Sequence, residues 1–158
     1  MKFLPLTPPG QTPVRVLSIA GSDSGGGAGL QADMRTYALL GVHSLVAVTA
    51  VTVQNSLGVN GFHEIPTSVI AGQIEAVATD IGVQAAKTGM LASSAIIETV
   101  AGCWRDLGLS GTVPFVVDPV CASMHGDPLL HVSALETLRT ELFPLASLRR
   151  STRPLDSW

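Results

Sequence analysis

Apolar residues are grouped along the chain in short runs separated by polar and glycine-rich segments. The first run, Val16 to Ala20, is typical of a strand buried on both faces of a parallel sheet. Similar runs predict further strands at residues 44–50, 61–65, 84–88 and 113–118. We expect the strand at 44–50 to lie parallel to the first, because a helical segment separates the two.

Between these runs, apolar residues recur at helical spacing. The first such segment has apolar positions at Leu30, Met34, Tyr37, Ala38 and Gly41. Further helices are predicted to begin at Thr67, at Ser93 or Ser94, and at Ser133, where Glu136 completes a capping box. Strands and helices alternate throughout, which predicts an α/β fold with a mainly parallel sheet and helices on both faces.

A glycine-rich loop connects the first strand to the first helix. It contains five glycines between Gly21 and Gly29. Such a turn lies beyond the carboxyl end of a strand, where open α/β sheets bind their ligands, and glycine lets a ligand approach the backbone closely. The loop therefore predicts a small-molecule site.

Polar residues also follow the other predicted strands. Gln54 and Asn55 follow the second strand and are interpreted as a polar interruption of the strand pattern. Residues 87–90 stand at the end of the strand at 84–88, and Asp118 ends the strand at 113–118. Because parallel strands end at one edge of the sheet, these residues are expected to converge near the loop. Asp33 lies in the first turns of its helix, where its charge also suits the helix dipole.

Composition restricts the class of protein. The chain has 158 residues, 46% hydrophobic and only 13% charged, which fits one domain with a covered sheet. Its net charge of −3 argues against a nucleic-acid partner, and its apolar runs fall short of the ~20 residues of a membrane span. The cysteines, Cys103 and Cys121, have no metal-ligand spacing, so we expect a reduced, cytoplasmic protein.

The loop partly matches one nucleotide-binding motif and lacks another. Gly27 to Ala32 matches the dinucleotide pattern Gly-x-Gly-x-x-Ala, but Gly27 lies seven residues beyond Ala20, and no acidic residue occurs at 45–53. A Walker loop is excluded, because no Lys-Ser or Lys-Thr follows the glycines. A dinucleotide oxidoreductase is therefore the weakest of the alternatives.

Four segments, in order, resemble the hydroxymethylpyrimidine/phosphomethylpyrimidine kinases of thiamine biosynthesis. These segments are Ile19–Asp33, Thr49–Asn55, Lys87–Leu91 and Val117–Val120. The resemblance extends from Val16 to about Leu148. It implies a ribokinase-like three-layer α/β sandwich that uses ATP and Mg²⁺ to phosphorylate a hydroxymethylpyrimidine and then its monophosphate.

The resemblance also implies a set of site residues. The residues matching Gly21, Asp33, Gln54 and Met90 line the pyrimidine pocket. In that pocket Gln54 meets the polar edge of the ring, Met90 its face, and Asp33 accepts a hydrogen bond from the substrate. The residue matching Asp118 lies towards the phosphates and the metal, and Lys87 is expected only to hold its loop.

The chain departs from the family pattern after Leu148. The family continues through a Thr-Pro-Asn-x-x-Glu segment and a Gly-x-Gly-Asp motif that supplies the catalytic base, and neither occurs in this sequence. We expect a disordered leader at 1–13, the N-terminal part of a kinase domain at 14–148 and a tail outside the family pattern at 149–158. The sandwich is thus expected to be truncated at its C-terminus and to lack the base.

Two expectations follow from this truncation. The chain is either an incomplete kinase or, as the alternative, a non-catalytic module that binds a pyrimidine. We also expect Leu135, Leu138 and Leu142 to be only partly covered and one strand edge to be unpaired, so that the isolated chain is marginally stable or homo-oligomeric.

Overall fold

A parallel sheet forms the centre of the protein, seen in a computed structural model that describes residues 7–8, 10–121, 129–130 and 133–150. The strands are β1 (Arg15–Ala20), β2 (His43–Val48), β3 (Ala50–Asn55), β4 (Gly58–Glu64), β5 (Ala85–Thr88), β6 (Phe115–Val117) and β7 (Leu148–Arg149). In the described chain, five of them pair in parallel in the order β2-β1-β5-β6-β7. The predicted strands at 44–50, 84–88 and 113–118 are confirmed with small changes of bounds.

Helices cover both faces of this sheet. They are α1 (Gly29–Leu39), α2 (Thr67–Asp80), α3 (Ser94–Asp106) and α4 (Ala134–Thr137), which continues as a π-helical turn (Leu138–Leu142) and a 3-10 turn (Phe143–Leu145). Lys87 of β5 forms an ion pair with Asp33 of α1. The preceding residue of β5, Ala86, pairs with Phe115 of β6, and the ring of Phe115 stacks on Trp104 of α3. Because neighbouring strand residues point to opposite faces, α1 and α3 lie on opposite sides. The predicted α/β sandwich is confirmed.

α3 contributes five buried residues to the core between the helices and the sheet. Trp104 and Phe115 are fully buried and stacked, with ring centroids 4.2 Å apart and an interplanar angle of 18°. Ile70 and Ile74 of α2 are also fully buried. No helix among the described residues is long and apolar enough to cross a membrane.

The predicted apolar face of α1 is only partly correct. Leu30 is buried, but Met34 is 45% exposed and Ala38 is also exposed. Asp33 bonds to polar groups of the sheet, so its side of α1 is the one that meets the sheet. Leu30 and Tyr37 lie on the same helical face as Asp33.

The prediction that Gln54 and Asn55 interrupt the strand pattern was wrong. β3 and β4 form an antiparallel hairpin, a two-stranded sheet of its own, and Gln54 and Asn55 lie within β3. In β3, the buried Ala50 and Thr52 alternate with Val51 and Val53, which are 49% and 64% exposed. This two-residue period is that of a half-buried strand, and the polar residues at its end concealed it.

The C-terminal part is better covered than expected. Leu138 and Leu142 are buried in the main core, and β7 pairs with β6. Ser133 precedes α4 as predicted, but its side chain makes no capping bond. The guanidinium of Arg149 lies 5.1 Å from the ring centre of Phe143. The expectation of partly covered leucines was therefore wrong for these two. Most of the predicted leader and the tail from 151 onward lie outside the described residues.

Candidate functional site

The glycine-rich loop is an ordered structure built around Asp23. Its carboxylate accepts hydrogen bonds from the backbone N–H groups of Gly25 and Ala28, each at 2.8 Å. The backbone N–H of Asp23 donates to Oε1 of Gln31, also at 2.8 Å. Asp23 is only 5% exposed. A buried carboxylate that bonds to the loop backbone holds the loop in one conformation.

Gly29 fixes the packing of α1 against the end of β1. Its φ is +55°, and an added Cβ would lie 2.4 Å from the carbonyl oxygen of Gly21. The next residue, Leu30, donates its backbone N–H to the same oxygen at 3.1 Å. The helix can start this close to the strand only because position 29 has no side chain.

The β3–β4 hairpin is bonded along the loop. Ser24 donates its hydroxyl to the carbonyl of Gln54 at 2.5 Å and accepts from the backbone N–H of Gln54 at 2.8 Å. Thr52 donates its hydroxyl to the carbonyl of Ser22 at 2.9 Å, and the N–H of Ser22 donates to the carbonyl of Ala50 at 2.8 Å. These bonds set the position of β3 over the loop.

Gly21 and Met90 lie next to each other at the carboxyl edge of the sheet. A Cβ at Gly21 would be 3.3 Å from the sulfur of Met90, which is 7% exposed. The hydroxyl of Thr49 donates to the Met90 carbonyl at 2.6 Å and holds that segment in place. The predicted convergence of these two residues is thus seen.

Asp33 is held by two residues of the sheet. Its Oδ2 accepts from the hydroxyl of Ser18 at 2.5 Å, and Nζ of Lys87 lies 2.9 Å from Oδ1 and 2.8 Å from Oδ2. A Cβ at Gly89 would be 3.7 Å from that Nζ. Asp33 is therefore bonded to β5, the strand that leads to Met90. Lys87 was expected only to hold its loop, but its ammonium group also binds Asp33.

Gln54 occupies an irregular position in the hairpin. It is half-buried and pairs with Val59, whereas Val53 pairs with Gly61, so the register shifts at Asn60. A bulge of this kind changes the direction of nearby side chains. The backbone of Gln54 meets Ser24, so the residue lies beside the glycine-rich loop.

Asp118 stands apart from these four residues. It follows β6, and β5 separates β6 from β1 in the sheet. Its buried carboxylate accepts from Nη1 of Arg150 at 2.9 Å, and the Arg150 side chain is 62% exposed. Among the described residues, no cluster of three His, Cys, Asp or Glu side chains could hold a metal ion. Since the Asp118 carboxylate is already paired, the described residues do not fit a magnesium site.

Sequence reasoning missed the residues that support the site. Ser18 is a fully buried polar residue inside an apolar strand, and that exception to the pattern was the available signal. Ser24 and Thr52 gave no signal, because their role depends on a hairpin that was not predicted.

Tyr37, on the same face of α1 as Asp33, supplies an internal probe of this region. Burial, and to a lesser degree the charge of Asp33, raises the pKa of Tyr37 to about 12 from 10.0. Burial, with the charge of Asp118, also raises the pKa of the Cys121 thiol, which makes that thiol a weak nucleophile near neutral pH.

The raised pKa of Tyr37 predicts a loss of stability in alkali. The contribution is complete below pH 10 and is lost as pH rises towards 12, because the unfolded chain loses the proton first. We expect a loss of about 1–2 kcal/mol after allowance for solvent screening of a half-buried group. Urea unfolding across this range, with Tyr37→Phe as reference, measures it. Since the chain has one tyrosine, tyrosinate absorbance gives the pKa directly; a value near 10 would contradict the prediction.

Comparison with known proteins gives the family. The sequence profile of the family described as phosphomethylpyrimidine kinase matches residues 23–149. The hydroxymethylpyrimidine/phosphomethylpyrimidine kinase of Mycobacterium tuberculosis is 76% identical over 148 residues, which are 94% of this chain and 53% of that protein. The chain thus spans about half the length of the curated relatives it matches.

Solved structures agree with this result. Phosphomethylpyrimidine kinase from Clostridium difficile has 40% identity and a TM-score of 0.79, covering 86% of this chain and 58% of that one. Pyridoxal kinase from Staphylococcus aureus, solved with pyridoxal, has 31% identity and a TM-score of 0.75, covering 88% and 50%. Both have the ribokinase-like fold expected from the sequence. Together, the profile, the relatives and the shared fold show that this chain belongs to the phosphomethylpyrimidine kinase family of phosphotransferases.

Proposed function

We propose that this chain forms the pyrimidine-binding half of a kinase of thiamine biosynthesis. The activity is the ATP-dependent phosphorylation of 4-amino-5-hydroxymethyl-2-methylpyrimidine and of its monophosphate. The observation that supports it most is the contact between Gly21 and Met90 at the carboxyl edge of the sheet. The backbone of Gln54 bonds to Ser24 of the glycine-rich loop, and Asp33 bonds to Lys87 in the strand that leads to Met90. Relatives with this named activity match nearly the whole chain.

Each of these residues suits part of the ligand. The amide of Gln54 donates and accepts, as the edge of a nitrogen heterocycle requires. Met90 offers a polarisable thioether to the face of the ring. The carboxylate of Asp33 accepts from an amino or hydroxyl group, and Gly21 leaves room for the ring because it has no side chain.

Calorimetry on two variants tests the binding site. Gln54→Ala is expected to weaken binding of the hydroxymethylpyrimidine by about 0.5–1.5 kcal/mol, the usual value of one neutral hydrogen bond. Asp33→Ala is expected to cost about 1.5–3 kcal/mol, because its acceptor is charged. Val53→Ala, which alters the exposed neighbour of Gln54, is the control and should bind like the unmodified chain. Unchanged affinity in both site variants would contradict the assignment.

In this proposal the chain does not catalyse phosphoryl transfer by itself. Such transfer depends on positioning and charge stabilisation, and the 158 residues contain no Gly-x-Gly-Asp motif to supply the base that the resemblance implies. The resemblance implies that most of the nucleotide site also lies outside these 158 residues, with Asp118 on the side of the phosphates and the metal.

A coupled ADP assay tests the absence of turnover. The 158-residue chain, purified from a host that lacks its own pyrimidine kinase, is expected to form no ADP above background with ATP, Mg²⁺ and the hydroxymethylpyrimidine. Saturable binding without turnover would fit either an incomplete kinase or the alternative of a pyrimidine-binding module. Adding in trans the half of the Mycobacterium tuberculosis relative that this chain does not span separates the two, since only an incomplete kinase recovers activity. Turnover by the chain alone would overturn the proposal.

The state of association is also part of the proposal. We expect self-association, because Val51, Val53 and Leu57 expose an apolar surface on the hairpin, with Leu57 83% exposed. Light scattering over a range of concentrations measures it.

A further inference from the structure

Three polar side chains meet between the sheet and α1. Ser18 and Lys87 are register partners on adjacent strands β1 and β5, so their side chains lie side by side on one face. Asp33 of α1 bonds to both. Ser18 is fully buried, and the side chains of Lys87 and Asp33 are 24% and 16% exposed.

The hydrogen bonds divide unequally between the carboxylate oxygens of Asp33. Oδ2 accepts from Ser18 and Lys87, whereas Oδ1 accepts from Lys87 alone among the described residues. Each carboxylate oxygen has about two acceptor positions. Oδ1 therefore keeps one position open, and the bonds to Oδ2 prevent the carboxylate from turning.

Fold stability alone does not account for this arrangement. Removing a lysine and a carboxylate from water costs several kcal/mol, and well-packed apolar residues of similar size often stabilise a protein equally well or better. Ala20, which shares the face of β1 with Ser18, and Leu30, which shares the face of α1 with Asp33, are both buried and apolar, so an apolar contact was available here. A charged cluster beside the glycine-rich loop instead suits the recognition of a ligand.

We propose that Ser18 and Lys87 are positioning residues that hold Asp33 as an oriented acceptor for an N–H or O–H group of the ligand. The inference rests on the proposed function and extends it. It predicts that the cluster selects heterocycles with a donor, such as the 4-amino group of the hydroxymethylpyrimidine, against analogues in which a methyl group replaces that donor.

The experiment compares these two ligands by calorimetry on the 158-residue chain. The unmodified chain is expected to prefer the amino ligand by about tenfold or more, as a hydrogen bond to a charged group allows. In Lys87→Met the preference should fall below about threefold, because only the bond from Ser18 then restrains Asp33 and the charge of Lys87 is lost. In Ser18→Ala it should fall to an intermediate value, and Lys87→Arg should keep more of it than Lys87→Met.

A matched control removes an ion pair elsewhere. Arg105 and Glu141 pair at 2.9 Å on the surface, so Arg105→Met deletes a cation of a similar pair without touching the cluster and should keep the full preference. In each variant, a Tyr37 pKa that stays raised shows that α1 remains packed. If Lys87→Met does not fold, the other three proteins test the proposal. The preference for the amino ligand should then decrease from the unmodified chain to Lys87→Arg and to Ser18→Ala.

The outcomes separate the two proposals. Full preference in Lys87→Met, or in both Ser18→Ala and Lys87→Arg, would overturn the positioning role while leaving pyrimidine binding in place. Binding without any preference in the unmodified chain would overturn the role of Asp33 as acceptor. If the unmodified chain binds neither ligand, the proposed function fails and this inference fails with it.

Discussion

Replacing Gly29 by alanine is expected to lower the free energy of unfolding by about 2–5 kcal/mol. The positive φ of +55° costs an L-residue about 1–2 kcal/mol. The new methyl group would also lie 2.4 Å from the Gly21 carbonyl, a backbone atom that cannot move without shifting β1 or α1. Overpacking of this kind typically lowers stability by a further ~1–3 kcal/mol, because the backbone must shift to make room.

The measurement is urea unfolding followed by circular dichroism. Gly72→Ala is the matched control, because Gly72 lies in α2 with nothing within 4 Å of an added Cβ. There, alanine should raise stability by about 0.5–1 kcal/mol, since glycine is the poorer helix former. The same substitution thus gives opposite signs at the two positions. A neutral Gly29→Ala would mean that α1 does not pack this closely against β1.

Replacing Trp104 by alanine is expected to have the largest effect on the core, a loss of about 3–5 kcal/mol. The side chain is fully buried and stacked on Phe115, so its removal leaves a cavity between α3 and the sheet. Because a domain has only about 5–15 kcal/mol of stability, this variant should be largely unfolded or strongly destabilised at room temperature.

Two further variants identify the cause. Trp104→Phe retains an aromatic ring and removes an indole N–H that has no hydrogen-bond partner among the described residues, so it should cost clearly less than Trp104→Ala. Leu40→Ala shortens a side chain that is 67% exposed and lies outside the hairpin surface, and it should change stability by less than about 0.5 kcal/mol. Equal losses in Trp104→Ala and Trp104→Phe would show that cavity formation is not the cause.

The sequence allowed the central sheet to be predicted because its strands are buried on both faces. A run such as Val16 to Ala20 can be recognised without knowing its neighbours, and so can the start of α2 at Thr67. The hairpin could not be predicted in this way, since the polar end of β3 is ordered by bonds to Ser22 and Ser24. Such bonds depend on tertiary contacts.

In the candidate site, too, the sequence predicted which residues lie at strand ends but not which residues pair across strands. Strand ends indicated where Gly21, Met90 and Asp118 lie, because parallel strands finish at one edge. The pairing of Ser18 with Lys87 depends on the register of β1 against β5, and these residues are far apart in the sequence. The burial of Leu138 and Leu142 was missed for a similar reason, since the turns of the C-terminal helix pack against α3.

The bonding of the glycine-rich loop has a consequence for affinity. Fixing the backbone of one residue costs about 1–2 kcal/mol, and glycine loses the most freedom. In this protein the bonds that order the loop are made within the chain, by Asp23, Ser24 and Thr52. The entropy of ordering the loop is therefore lost during folding rather than during binding, and the loop is preorganised. A ligand as small as one substituted ring makes few contacts, so its affinity gains most when binding does not also have to order the loop.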